Sequence, residues 1–304
     1  AISPCAGADV YQPRGGTVAE TIERNVALRE SPSARRLKRY SGRLNLKQRY
    51  LLRAERRLFA GDGPVVVAIS DYVARQLREH YSLPADRIRR VYNGVDADPS
   101  SISQRSEHRR DIRTEFRIAP DDLLVLVVAH NFRLKGVKRW MEALAMLLAR
   151  GASNLRSLVL GRGDSPRWHR LADKMGLDGR LTFVGATDRV RAFFHAADVL
   201  VHPTYYDPCS RVVLEGMTSG LVCVTTRWDG ASEMIEDGRN GFVLDEPTEK
   251  ETLADIVERL RREPSIRSRI GAQAAKVADA VSMERHAKEM LALYEELAPV
   301  GARR

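Results

Sequence analysis

Two carboxylates stand eight positions apart in the segment from His202 to Gly220, on either side of an expected helix start. Asp207 falls in a short polar loop after an apolar strand, and Glu215 falls about one turn into a helix that begins near Ser210. The first amides of a helix lack intrahelical partners and carry partial positive charge, so this place suits a diphosphate. Carboxylates there would instead accept hydrogen bonds from hydroxyls of a sugar or a ribose. The segment therefore predicts a sugar-nucleotide site.

A simpler interpretation of the two acids is that Asp207 caps the helix and Glu215 lies on its solvated face. Glu215 argues against it, because its neighbours in residues 212–217 are mostly apolar. Burying an unpaired carboxylate in such surroundings is costly. We therefore favour a functional role for Glu215.

Two basic residues, Arg133 and Lys135, lie in a loop that follows an expected strand and precedes an expected helix. Arg offers a planar fork of donors and Lys a compact charge, and both suit a diphosphate. The alternative is a pair of surface cations in an ordinary loop. The acidic segment around Asp207 favours the functional interpretation.

Alternating strands and helices are expected to position these residues after about Ile118. The expected strands are 123–129, 157–161, 181–185, 199–202, 222–226 and 241–244, and the expected helices include 138–150, 167–175, 265–280 and 283–297. Apolar strands separated by helices indicate a parallel, doubly wound α/β sheet. Ligands of such sheets bind beyond the carboxyl ends of the strands, where both the acidic and the basic segments fall.

A smaller α/β unit is expected before it, with strands near 65–69 and 89–92. A stretch near 97–110 is rich in Ser, Asp and charge and marks the boundary between the two units. The predicted organisation is residues 1–98 as a first domain, 99–117 as a linker, 118–282 as a second domain and 283–304 as a C-terminal helix.

The acid at position 207, seven residues and then Glu215 resemble the E-x7-E signature of the family 4 retaining glycosyltransferases. Within that family the segment is most similar to the lipopolysaccharide-core glucosyltransferase group. Further segments resemble the family in the same order, and together they cover roughly residues 60–245. These segments are 65–70, 91–96, 127–136, 158–163 and 181–185.

The resemblance implies a GT-B architecture, in which two Rossmann-like, doubly wound domains face each other across a cleft. It also implies an N-terminal domain with further strand–helix units before Ala1, so the first domain is expected to be incomplete. The implied reaction moves a sugar, with retention of configuration, from a nucleotide-diphosphate donor such as a UDP-sugar to a saccharide or lipid-linked acceptor. No metal or other cofactor is expected.

The resemblance also implies roles for individual residues. Lys135, and less closely Arg133, would neutralise the departing diphosphate, while Asp207 would hold hydroxyls of the donor sugar and Glu215 the ribose. The remaining donor-side candidates are Ser210, Arg211, Val212, Gly185 and Phe183. The acceptor-side candidates are Gly15, Gly16 and Asn93, although a plain turn explains the two glycines equally well.

One position departs from the family pattern. The family has Glu where this chain has Asp207. The shorter side chain reaches about 1.5 Å less far, the length of one carbon–carbon bond. Contacts to the donor sugar are therefore expected to shift, weaken or favour another sugar.

Composition narrows the class of protein further. The chain has 304 residues, 43% of them hydrophobic, which fits two folded domains. No apolar run approaches the roughly 20 residues of a membrane span, and no secretory signal precedes the first segment. Three cysteines without metal-type spacing fit a reducing cytosol. A cytoplasmic protein is expected.

The net charge of +10 is concentrated in one segment. From Arg35 to Arg57 there are ten basic residues and one acid, Glu55, with Leu residues at partly helical spacing. An amphipathic helix is expected, and an anionic membrane surface is its favoured partner, at about 1 kcal/mol per basic side chain near the surface. A solvated charged helix is the plain alternative. Nucleic acid ranks last, because no recognition motif accompanies the charge.

Two other classes of function stay open at this point. A non-catalytic protein that binds a sugar nucleotide or an anionic lipid would keep the same fold and the same basic segment. A nucleic-acid binder is the least favoured class, and would show steep salt dependence.

Overall fold

Two parallel sheets form the frame of this computed structural model, which describes residues 1–298 except 3, 4, 6, 97 and 164. The first sheet has the order β1-β2-β3, with strands β1 (Val10–Tyr11), β2 (Val65–Ala68) and β3 (Ile88–Arg90). The second has the order β6-β5-β4-β7-β8-β9. Its strands are β4 (Leu123–Val128), β5 (Leu155–Leu160), β6 (Leu181–Gly185), β7 (Val199–Val201), β8 (Val222–Thr226) and β9 (Phe242–Leu244).

Helices connect these parallel strands. Around the first sheet and after it lie α1 (Val18–Ala27), α2 (Pro32–Arg43), α3 (Leu46–Phe59), α4 (Asp71–Tyr81) and α5 (Ile102–Glu115). With the second sheet lie α6 (Val137–Ala149), α7 (Pro166–Lys174), α8 (Val190–Ala196), α9 (Arg211–Thr218), α10 (Lys250–Arg262), α11 (Pro264–Ala274) and α12 (Met283–Leu297). We call β1–β3 with α1–α4 the first unit, and β4–β9 with α6–α11 the second unit.

The second sheet is doubly wound, as predicted. Its strand order reverses between β4 and β7, which places a topological switch point there. Most strand positions are apolar because helices cover both faces. In β4, Leu124 and Leu126 pack on the face of α8 and α9, whereas Val125 and Val127 pack on the face of α6 and α10.

The segment predicted as a linker contains α5, a helix that docks on the second unit. Arg113 of α5 is buried and donates to Asp198 at 2.8 Å. Asp198 also accepts from Arg109 and from the amide of Leu124, each at 2.8 Å. Polar composition alone suggested a boundary, but these buried contacts hold the segment as a helix. The domain limits 1–98, 99–117, 118–282 and 283–304 stay a prediction, and residues 299–304 lie outside the described part.

The basic segment forms two helices, so the expectation of one amphipathic helix was wrong. The break falls at Leu44 and Asn45, because the Asn45 side chain accepts from the Gln48 amide at 3.1 Å and caps α3. We call α2 and α3 the basic hairpin. Glu55 is fully buried in it and accepts from the amide of Val18 at 2.8 Å.

The last helix, α12, returns to the first unit, as the family resemblance implied. Leu293 is buried against Val67 and Val91, and the Met283 amide donates to the Val95 carbonyl at 3.0 Å. The helix therefore joins the two units by packing as well as by the chain. Over the described residues, no helix combines the length and the apolar character needed to cross a membrane.

Candidate functional site

The acidic and basic segments predicted from the sequence meet at the switch point of the second sheet. We call residues 202–210, which connect β7 to α9, the Asp207 loop. The Tyr205 amide donates to the Leu134 carbonyl at 2.9 Å, so the Asp207 loop is bonded to the segment that follows β4. Gly136 makes this approach possible, because its φ is +70° and an added Cβ would lie 2.0 Å from the Pro203 carbonyl oxygen.

Lys135 and Asp207 form a buried ion pair at the centre of the site. Lys135 Nζ lies 2.5 Å from Asp207 Oδ2 and donates to the Tyr206 carbonyl at 3.1 Å. The Lys135 residue is only 5% exposed. Burial would raise the pKa of Asp207, but the positive charge of Lys135 and the nearby His202 outweigh burial and hold that pKa below its ordinary value. Asp207 is therefore a carboxylate at neutral pH.

Two histidines lie beside this pair. His202 is buried, and its Nε2 lies 3.4 Å from Asp207 Oδ2. Neither ring nitrogen of His202 makes a hydrogen bond to a residue that the structure describes. Burial, followed by repulsion from Lys135, lowers the pKa of His130, so this ring is neutral at physiological pH. His130 follows β4 and His202 follows β7, so the sequence signal for both histidines is their place just after strand ends.

The start of α9 offers backbone donors. Ser210 caps the helix by accepting from the Val213 amide at 3.4 Å. Its own amide donates to Asp229 Oδ1 at 2.9 Å. The Ser210 amide is therefore occupied, whereas the sequence predicted free amides at this helix start. The amides of Arg211 and Val212 have no hydrogen-bond partner among the described residues. These two predicted donors are thus available to an anion.

Glu215 lies on the first turns of α9 and is partly buried. Burial raises the pKa of its carboxyl, and the nearest cation is Arg211, with Nη2 at 3.6 Å. No hydrogen bond to its carboxylate oxygens is present among the described residues. The carboxylate therefore keeps its capacity to accept from a hydroxyl donor.

Asp229 is a site residue that sequence reasoning missed. It is fully buried and accepts from the amides of Ser210 and Ala231 and from Thr225 Oγ1, each at 2.9 Å. Burial, followed by the charge of Asp207, raises the pKa of Asp229 to about 6. Asp229 follows β8, and its place after a strand end could have marked it as a site residue. The Asp229-Gly230 pair, however, also fits an ordinary turn.

Arg133 differs from Lys135 in its surroundings. Its side chain is exposed and makes no ion pair within 4.0 Å to any described residue. Burial lowers the pKa of Arg133 somewhat, and the positive charges of Arg29 and Arg167 add to this shift. Arg133 thus lies among further basic side chains, with Glu30 as an acidic neighbour, two residues from Lys135 in the chain.

Two of the predicted donor-side residues, Phe183 and Gly185, lie at the end of β6. Phe183 stacks on Phe132, with ring centroids 5.9 Å apart and an angle of 21° between the planes. Gly185 has φ +81°, and a Cβ there would meet nothing within 4 Å. There is open space at Gly185, but β6 is separated from β4 by β5. That Phe183 and Gly185 contact the donor stays a prediction.

The acceptor-side candidates divide into two kinds. Gly15 is exposed, and a Cβ there would meet nothing within 4 Å. Gly16 packs on the Asp207 loop, because its added Cβ would lie 1.7 Å from the Tyr206 hydroxyl oxygen. Asn93 donates through Nδ2 to the Cys209 carbonyl at 2.9 Å. Gly16 and Asn93 thus contact the donor side of the cleft.

One group of possible metal ligands comes together in the described part of the chain. Glu20, Glu23 and His80 place one ligand atom each within 4.8 Å of one another. Glu20 already pairs with Arg24 at 2.9 Å and accepts from the Tyr72 hydroxyl at 2.9 Å. These partners account for the buried carboxylate as part of an ion-pair network. The expectation of no metal stays a prediction.

The fold and the switch-point site together define a class. The family described as "Glycosyl transferases group 1" matches residues 108–277, and "Glycosyltransferase Family 4" matches residues 26–99. Because the first match covers more than half of the chain, the protein belongs to the glycosyl transferases of group 1. Its two parallel-sheet units are the GT-B arrangement that the resemblance implied.

The chain is also similar to individual glycosyltransferases. The chain is 28% identical over 238 residues to the lipopolysaccharide glucosyltransferase WaaG of Escherichia coli (strain K12), covering 78% of this chain and 64% of WaaG. It is 28% identical to the alpha-D-kanosaminyltransferase of Streptomyces kanamyceticus, covering 76% of this chain and 60% of that protein. A crystal structure of WaaG matches with a TM-score of 0.81 at 26% identity, covering 96% of this chain and 76% of that chain. The chain thus spans less than two thirds of the length of these curated relatives.

Proposed function

We propose that this protein is a retaining hexosyltransferase that transfers a sugar from a nucleotide-diphosphate donor, a UDP-sugar in the first instance. The observation that carries the proposal is the buried Lys135–Asp207 pair, together with two amides at the start of α9 that have no partner among the residues the structure describes. Glu215 follows one turn later with free acceptor capacity. A cation, two amides and two carboxylates match a ligand that has both a diphosphate and hydroxyl groups.

Charge develops on the departing nucleotide diphosphate as the bond to the sugar breaks. Preorganised donors are the most effective way to stabilise such charge. Lys135 and the amides of Arg211 and Val212 would supply it, with Arg133 closing on the phosphates from the exposed side. Asp207 would accept from the donor sugar and Glu215 from the ribose. This transfer would proceed without a metal, since cationic side chains and amides take that role.

The acceptor class follows from the relatives. The first relative is named as a lipopolysaccharide glucosyltransferase, which favours a saccharide or lipid-linked glycan as acceptor. Gly15, a proposed acceptor-side residue, is exposed. The donor preference need not be the same as in that relative, because Asp207 is shorter by one carbon–carbon bond than the Glu of the family pattern.

The basic hairpin is the proposed contact with an anionic membrane surface. Five large apolar side chains on it are exposed, from 66% to 76%, among the ten basic residues of the segment. These are Leu37, Tyr40, Leu44, Leu46 and Tyr50. Exposed apolar groups among cations are the composition that binds the interface of anionic lipids. The protein would then act on the inner face of the membrane, in the cytoplasm, and would bind no nucleic acid.

A transfer assay tests the catalytic part of the proposal. We expect UDP release from UDP-glucose in the presence of a lipopolysaccharide core saccharide, with the anomeric configuration of the product retained in proton NMR spectra. Lys135→Ala should lower turnover by orders of magnitude, because preorganised charge supplies much of the barrier lowering. Glu236→Ala is the control, because Glu236 is an exposed acid whose carboxylate pairs with Arg239 and not with a site residue. Inversion of configuration, or near-normal turnover by Lys135→Ala, would contradict the proposal.

A vesicle assay tests the membrane contact separately. We expect sedimentation with phosphatidylglycerol vesicles and not with phosphatidylcholine vesicles, weakening as salt is raised. Replacing Leu44 and Leu46 by Ser should reduce this binding without affecting donor turnover in solution. Equal binding to both kinds of vesicle would refute an electrostatic membrane contact.

A further inference from the structure

Three side-chain hydrogen bonds connect the first unit to consecutive parts of the Asp207 loop. The Tyr206 hydroxyl donates to Gln76 Oε1 at 3.1 Å. Ser70 Oγ donates to the Pro208 carbonyl at 2.6 Å, and Asn93 Nδ2 donates to the Cys209 carbonyl at 2.9 Å. The last two carbonyls lie between Asp207 and Ser210, in the stretch that separates the acid from the helix start. The first unit thus holds the backbone of the loop that bears the proposed donor site.

The Ser70 hydroxyl is held in one orientation by its two hydrogen-bond partners. Ser70 is fully buried, and its Oγ also accepts from the Val73 amide at 3.1 Å as the cap of α4. With that acceptor position used, the hydroxyl hydrogen is directed to Pro208. Gly230 leaves the required space, because a Cβ there would lie 2.0 Å from the Pro208 carbonyl oxygen and 2.4 Å from Ser70 Oγ.

Glu233 of the second unit contacts the first unit next to Ser70. The Glu233 carboxylate accepts from the amide of Asp71 at 2.8 Å and from that of Tyr72 at 2.6 Å, at the start of α4. It also accepts from the Tyr92 hydroxyl at 2.8 Å, one residue before Asn93. The start of α4 and the end of β3 are therefore fixed against the second unit, and Ser70 and Asn93 are placed by these contacts.

We infer that Ser70 and Asn93 are positioning residues for the donor site. By fixing the Pro208 and Cys209 carbonyls, they set the direction of Asp207 and of the Arg211 and Val212 amides. The donor geometry is then complete only when the first unit lies against the second. This inference rests on the proposed function, and it assigns Asn93 to the donor and not to the acceptor.

The test uses one variant for each hydrogen bond to the loop, and Ser70→Ala also removes the bond from the Val73 amide that caps α4. Asn93→Asp is isosteric but replaces the donating amide by a carboxylate oxygen facing the Cys209 carbonyl. Its control is Asn154→Asp, since Asn154 Nδ2 also donates to a backbone carbonyl, that of Asp121, away from the loop. Ser70→Ala has its control in Ser101→Ala, which removes a helix cap, that of α5, without touching the loop.

Two measurements decide the inference. In the free protein, hydrogen exchange of the amides in residues 206–213 should accelerate in Asn93→Asp and Ser70→Ala and not in the controls. With substrates, the KM for the donor should rise about five- to tenfold per lost hydrogen bond, while the KM for the acceptor stays constant.

The outcomes separate this inference from the proposed function. Unchanged exchange in the loop for both variants would overturn the positioning role, as would a rise in acceptor KM with constant donor KM. If the native chain bound no sugar nucleotide, the proposed function would fail. Faster exchange confined to the loop would still support the positioning of its backbone by Ser70 and Asn93.

Discussion

At the scale of single residues, the site combines two acids whose pKa values shift in opposite directions. Asp207 is held as a carboxylate by Lys135, whereas burial and the charge of Asp207 raise the pKa of Asp229 to about 6. Asp229 accepts from the Ser210 amide and so holds the end of the Asp207 loop. The acid with the higher pKa thus supports the loop that carries the acid with the lower pKa. The two carboxyls therefore differ in protonation over a range in which both would ordinarily be ionised.

The substitution Asp229→Asn tests this difference. The folded-state pKa of about 6 lies above the ordinary value of 3.8, so between these values the folded protein retains a proton that the unfolded chain has lost. The unfolding free energy contributed by Asp229 thus falls as the pH rises through this window, by up to about 1.4 kcal/mol per pH unit. Asn can keep all three hydrogen bonds, donating to Thr225 and accepting from both amides.

Urea unfolding of both proteins between pH 4 and pH 7 checks this expectation. The variant should gain in stability relative to the native protein as the pH rises to about 6, and the difference should then level off. A difference that does not depend on pH would show that Asp229 titrates normally in the folded protein.

The residues recognised from sequence and those missed differ in a physical way. Glu215 stands out in the sequence because a charged side chain in an apolar run is unusual, whereas Lys135 and Asp207 stand out because each lies in a loop that follows an expected strand. Asp229 accepts from the amide of Ser210, 19 residues away in the chain, and Asn93 donates to the carbonyl of Cys209, 116 residues away, so local sequence reveals neither contact. The occupied Ser210 amide is a consequence of the same long-range contact.

At the scale of elements, the site depends on how closely α6 and the Asp207 loop approach each other. Gly136 begins this approach with φ +70° and a backbone contact that leaves no room for a Cβ. Lys135 precedes it, so the conformation of Gly136 determines where the Lys135 side chain enters the site. The loop–helix junction is therefore expected to tolerate few substitutions.

A pair of glycine substitutions measures this constraint. Gly176 has φ +68°, close to the +70° of Gly136, but a Cβ there would meet nothing within 4 Å. Gly176→Ala should therefore cost about 1 kcal/mol, the penalty of the left-handed backbone alone. Gly136→Ala should cost at least 2–3 kcal/mol more, roughly, because the Pro203 carbonyl must move. Thermal and urea unfolding compare the two, and equal losses would contradict the close approach.

The strands of the second sheet were predicted within about two residues because buried parallel strands are short apolar runs. The ends of β6 and β8 agree with the prediction. The helices of the basic segment and of the linker were harder to predict. A side-chain cap at Asn45 divides the basic segment into two helices. Buried ion pairs to Asp198 hold the linker helix α5 on the second unit. Local polarity does not reveal either contact.

At the scale of the whole molecule, the two units are joined by α12 as well as by α5. Leu293 is 5% exposed and packs against Val67 and Val91 of the first sheet, while Leu291 on the same helix is 60% exposed. Val10 and Val65 of the same sheet and Met290 and Leu297 of α12 pack around this contact. The relation of the two units, and with it the cleft, therefore depends on α12.

Substitutions on α12 test that dependence. Leu293→Ala should lower the unfolding free energy by about 2–4 kcal/mol, because it opens a cavity between α12 and the first sheet. Leu291→Ala, the matched control, should change it by less than about 0.5 kcal/mol. Urea unfolding distinguishes the two, and a similar loss in both variants would show that α12 does not pack on the first unit.

The central claim is that Lys135, Asp207 and Glu215 form the donor site of a nucleotide-sugar transferase. The most direct test is calorimetric titration of the native protein with UDP, UDP-glucose and GDP-mannose, repeated with Lys135→Ala, Glu215→Ala and the exposed control Glu236→Ala. Circular dichroism should first establish that each variant is folded. We predict that the native protein and Glu236→Ala bind one nucleotide class and that both site variants lose this binding. Undiminished binding by folded Lys135→Ala and Glu215→Ala would contradict the claim.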